Sequence, residues 1–162
     1  MRVVFTKGPG TSYDIAVHRE TGAELAPRNG PGGHRYLPHD LVHFLVEAEA
    51  GIKLGVYGRL AAGDNGLFWP ADPAERAKAA RRRKSKPLKS SPEAQADMAR
   101  SEHLAGIAVP VWEVRNGHAQ SLPAYVPAGG IPAEVERIVA RFAEYADRWQ
   151  ALPVGGSLTL TW

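Results

Sequence analysis

The chain has 162 residues, 44% of them hydrophobic and 23% charged, with a formal charge of +3 and no cysteine. That composition suits one folded domain with a real core and excludes a wholly disordered chain, a disulfide framework and a thiolate zinc site. No run of about 18 apolar residues offers a membrane span, and the opening MRVVFTKGPG lacks an apolar stretch followed by a cleavage site, so a cytoplasmic protein without membrane association is expected.

Val3–Thr6 is β-branched and aromatic, and Tyr13–Arg19 places Tyr13, Ile15 and Val17 on one side of a period-two pattern. With the turn chemistry of Gly8–Ser12 between them, they predict an antiparallel hairpin. A third short strand is expected at Ala23–Leu25. The stretch Pro27–Gly33, with its prolines and glycines, reads as an irregular loop.

A first helix is expected to start near Pro38 and to end at Gly51, which suits a left-handed C-terminal cap. A short helical piece follows from Val56 to Ala61. Asp72-Pro73-Ala74-Glu75 then combines a cap, an N1 proline and an acid at N3, and Ser91-Pro92-Glu93 repeats the signal for a helix reaching about Ala105. Val109–Val114 (VPVWEV) is expected to be a strand that Pro110 confines to a sheet edge, ended by the turn Asn116-Gly117. The clearest helix covers Pro132–Leu152, where Val135, Ile138, Val139, Phe142, Tyr145, Ala146, Trp149 and Leu152 recur at helical spacing. In the terminal SLTLTW, Leu158, Leu160 and Trp162 alternate with threonines, which predicts a strand with an ordered terminal indole.

The fold class expected from this order is α+β. A small, mostly antiparallel sheet joins the N-terminal hairpin to the C-terminal strand and packs against the long C-terminal amphipathic helix and several shorter helices. One domain spans residues 1–162, with an exposed basic helix or arm at 76–90.

Two clusters carry candidate chemistry. In LPHDLVHFLVEAEAG, residues 37–51, a helix places His39, His43 and Glu47 on one stripe about 80° wide, because each residue advances by about 100°. Two imidazoles at i and i+4 plus a carboxylate are the donor set of an open zinc site whose last position holds water. HDLVH resembles the zincin signature HExxH, and that resemblance implies Asp40 as the catalytic base, although Asp is one methylene shorter than the Glu of the signature. His34 is a further imidazole upstream. The other reading needs no metal: Asp40 favours the positive end of the helix dipole, His43 and Glu47 pair on a wet face, and Leu41, Phe44, Leu45 and Ala48 enter the core.

The second cluster is RAKAARRRKSKPLK, residues 76–89, in which Arg76, Lys78, Arg81, Arg82, Arg83, Lys84, Lys86 and Lys89 occur without an acid. The remaining chain has twelve cations against seventeen acids, so the basic character belongs to this segment alone. A helix carrying cations around most of its circumference is expected to stand in solvent or against an acidic surface, and it suits non-specific attraction to nucleic acid or to an acidic protein. No aromatic residue is interleaved in the block, so base recognition has no candidate there. The expected function is that of a non-enzymatic binding or accessory protein using this arm, with a divalent-metal hydrolase site on the HDLVH helix as the alternative.

Overall fold

The computed structural model describes residues 1–32, 35–85, 91–127 and 130–162. Strands β1 (Arg2–Lys7) and β2 (Tyr13–His18) form the expected antiparallel hairpin, in register from Arg2↔His18 to Lys7↔Tyr13. The terminal strand β4 (Ser157–Thr161) pairs antiparallel with the other edge of β1, and β3 (Arg28–Asn29) pairs with β2, giving the order β3-β2-β1-β4. The pairing sets apolar residues opposite one another: Val3 faces Val17 and Leu160, and Phe5 faces Ile15 and Leu158. All six are buried on one face, and a slip of one residue would turn the whole set toward solvent. Trp162 is held by its N–H on the carbonyl of Met1 (2.9 Å) and by an edge contact with Phe44.

The third strand lies elsewhere than expected. The segment around Ala23–Leu25 is extended but joins the chain at Trp69–Ala71, through Ala26 N–H to Trp69 O (2.8 Å), Ala71 N–H to Glu24 O (2.9 Å) and a bridge from Leu25 to Pro70. The sheet takes Arg28 and Asn29 instead, out of the stretch read as irregular, because Arg28 there reaches Asp40 and Asn29 reaches Asp14.

Five helices follow: α1 (His39–Ala50), α2 (Val56–Ala61), α3 (Pro73–Ser85), α4 (Pro92–Arg115) and α5 (Ala133–Ala151). Pro38 is the residue before α1 rather than its first turn, and Gly51 ends α1 in the left-handed conformation at φ 64°. Asp72 accepts the N–H of Glu75 (2.8 Å) to cap α3, and Ser91 accepts that of Ala94 (3.2 Å) to cap α4.

VPVWEV is helical and continues α4 to Arg115, against the edge strand expected there. Leu104, Ala108, Val111 and Trp112 are buried at spacings of four, three and one, which is a helical stripe, and packing along that stripe outweighs the backbone bond lost at Pro110. The stripe faces α1 and α5, which also contact each other. Edge contacts of Phe44 with Phe5 and of Trp149 with Tyr13 seat α1 and α5 on the sheet. One apolar core thus runs from β1 to β4, while α3 buries no residue. Among the described residues no helix is long and apolar enough to cross a membrane.

Candidate functional site

The HDLVH helix is not amphipathic in place. Every residue from Asp40 to Glu47 is buried, because the sheet, α4 and α5 close around α1, so the face expected to be wet lies inside. His39 alone of the stripe is exposed. His43 bonds through Nδ1 to Ser101 Oγ of α4 (3.0 Å), and its Nε2 stands 3.7 Å from the exposed Glu102. Burial holds the His43 imidazole below its ordinary pKa, against the opposing pull of Glu102.

Glu47 is fully buried, and its two carboxylate oxygens accept the backbone N–H groups of Val56 and Tyr57 at 2.9 Å each. It therefore caps the start of α2 from a different helix. Gly55 makes room for this: a Cβ there would stand 2.4–2.6 Å from the Glu47 carboxylate. Burial pushes the Glu47 carboxyl above the usual value, partly offset by those two N–H groups.

Asp40 is likewise engaged. Its carboxylate accepts the Tyr13 hydroxyl (2.6 Å) and pairs with Arg28, while its carbonyl accepts the Tyr57 hydroxyl (2.9 Å). Burial pushes both phenols up, so both stay protonated and donate. Asp40 thus ties β2 and β3 to α1 and α2, and its two carboxylate oxygens are engaged by Tyr13 and Arg28. The two imidazoles are neighbours, with ring centroids 4.7 Å apart. The stripe does not converge on an open position, since Glu47 serves α2, and no group of three His, Asp or Glu among the described residues is arranged to hold a metal ion. His34 lies outside the described residues.

The basic segment presents a different picture. Arg76 and Arg83 are seven residues apart, two turns, and so share one face of α3. Both grip carbonyls of the preceding loop: Arg76 Nε donates to Pro70 O (3.2 Å), and Arg83 donates to Gly66 O (2.8 Å) and Phe68 O (2.9 Å). Carbonyls, rather than an acidic surface, hold the helix among the described residues. Lys78 pairs with Glu75 at 2.6 Å. Arg81, Arg82 and Lys84 are exposed and have no carboxylate partner among the described residues, while Lys86 and Lys89 lie outside them.

Between α3 and the loop lies a cleft of about 590 Å³, lined among others by Asp64, Asn65, Lys78, Arg82 and Arg83. Its far wall is braced by two arginines. Arg19 reaches out of the β2 end to bond Ala23 O (2.7 Å), Asp64 O (2.5 Å) and Asn65 Oδ1 (2.7 Å), and Arg59 pairs with Asp64. Burial alone would push the Asp64 carboxyl up, but the Gly66 N–H and Arg59 hold it below the usual carboxylate value.

Sequence reasoning did not find Trp69. The Arg83 guanidinium lies 3.9 Å from the centre of its indole, so an aromatic ring does accompany the basic helix, supplied by the loop rather than by the block. The signal available in the sequence was the pair Phe68-Trp69 held between the glycine turn and the Asp72 cap. No family model, curated protein or solved structure matches this chain.

Proposed function

We propose that the chain is a non-enzymatic, cytoplasmic nucleic-acid-binding protein whose phosphate-contacting surface is α3. The observation that carries this reading is a division of labour along the helix. Arg76 and Arg83 fasten one face to the body, and Arg81, Arg82 and Lys84 are left exposed without a carboxylate partner, among the described residues. Exposed cations on a braced helix gain affinity for phosphates through counterion release, without an ordering cost for the helix itself. Lys86 and Lys89 continue the same charge in sequence.

The test is binding to nucleic acid as a function of salt. Three to five phosphate contacts give a slope of log K against log[salt] of roughly −2 to −4.5. The triple variant Arg81→Glu, Arg82→Glu, Lys84→Glu should abolish most of the slope while leaving the fold intact, since none of the three is buried. Binding that is absent at low salt, or that is unchanged in the triple variant, would sink the reading. Salt-dependent binding to an acidic protein alone would transfer the surface to a protein partner.

A further inference from the structure

Trp69 keeps part of a large indole open to solvent. It is 37% exposed and its neighbour Leu67 is 69% exposed, while Phe68 between them is buried under Arg28. Its backbone is nonetheless fixed, by the Ala26 N–H on its carbonyl and by the bridge between Leu25 and Pro70. Arg83 is fixed as well, by the carbonyls of Gly66 and Phe68, and its guanidinium lies against the ring. An aromatic plane backed by a guanidinium, with the exposed Arg82 next to that guanidinium in sequence, combines the two elements of single-strand recognition. These are a π-face for a base and cations for the phosphates on either side of it.

We propose that Trp69 and Arg83 form a stacking platform for an unpaired base, so that the chain prefers single-stranded nucleic acid to duplex. This rests on the phosphate-binding role of α3. In a duplex the base faces are occupied by their neighbours, and a single indole on a loop reaches none of them, so only the charge on α3 contributes there. A single strand offers its phosphates to the exposed cations of α3 and a base to Trp69 together.

The probes are oligo(dT) of roughly 15 nucleotides, a duplex of equal length and inorganic polyphosphate, each titrated into the full chain at low salt. Trp112 and Trp149 are buried and Trp162 packs on Phe44, so quenching by a stacked base reports Trp69. The expected result is quenching by oligo(dT) and not by polyphosphate, lost in Trp69→Phe. Trp69→Ala should weaken oligo(dT) binding about 5- to 100-fold and leave polyphosphate binding unchanged. Equal affinity for single strand and duplex in the wild type would overturn the proposal. So would equal losses for all three probes in Trp69→Ala, which would assign the ring to bracing α3 alone. Absence of binding to every probe would overturn the phosphate-binding role with it, whereas polyphosphate binding without single-strand preference overturns the platform only.

Discussion

Glu47→Leu tests whether one buried carboxylate holds α2 in place. The substitution keeps most of the side-chain bulk but withdraws the acceptors from the N–H groups of Val56 and Tyr57, each bonded at 2.9 Å. An N–H left buried without a partner costs about 1–3 kcal/mol, so the two together cost about 2–6 kcal/mol. Relief from burying a charge offsets part of this, leaving a net loss of about 2–4 kcal/mol. Six residues are too few for α2 to persist without its cap. At roughly 2–4 °C per kcal/mol for a chain of this size, the melting temperature should fall by about 4–16 °C. Urea unfolding with an unchanged slope is the assay, and Glu47→Gln, which keeps one acceptor, should fall about half as far. The pH dependence has a definite sign. Burial raises the carboxyl pKa, so the folded chain holds that proton more tightly than the unfolded chain. The contribution of Glu47 to stability is therefore largest in acid and falls as pH rises from the ordinary glutamate range through the raised value. Glu47→Gln should lose that slope. Glu47→Leu within about 0.5 kcal/mol of wild type, the range of ordinary surface substitutions, would refute the capping role.

Two glycines should respond in opposite directions to alanine. A Cβ at Gly58 would stand 2.0 Å from the Lys53 carbonyl oxygen, so Gly58→Ala should destabilise by about 1–3 kcal/mol, whereas a Cβ at Gly106 within α4 meets nothing within 4 Å. Gly106→Ala should therefore stabilise by about 0.5–1 kcal/mol, and thermal melts that fail to separate the two variants would refute the packing described here. In a zinc titration, His39→Ala with His43→Ala should take up metal no more weakly than wild type, because Glu47 is already engaged by α2. Stoichiometric zinc lost in that double variant would instead restore a metal site.

The strands and the last helix were legible because their signals are local and agree with one another. Tyr13, Ile15 and Val17 alternate within a few residues of a glycine turn, and the stripe from Val135 to Trp149 repeats over about four turns. The error at VPVWEV came from weighing Pro110 and the valines over the longer stripe that begins at Ser101, where residues 104, 108, 111 and 112 already share one face. The third strand differs for a related reason: Leu25 does form a bridge, but with Pro70, some 45 positions away, and periodicity carries no information about partners.

Partners also decide which ionisable residues are free to act. The stripe His39, His43, Glu47 has the spacing of a metal site, yet Ser101 and α2 occupy two of its three members through contacts 54 to 58 and 9 to 10 residues distant. Burial then supplies a cap where the sequence suggests a ligand. In α3 the same accounting runs the other way. The fold consumes Arg76 and Arg83 to position the helix and brings Trp69 to its side, and Arg81, Arg82 and Lys84 are left over. Charge that folding does not neutralise on a braced element is charge retained against the self-repulsion it causes, so α3 and its indole, rather than the HDLVH helix, are where binding should be sought.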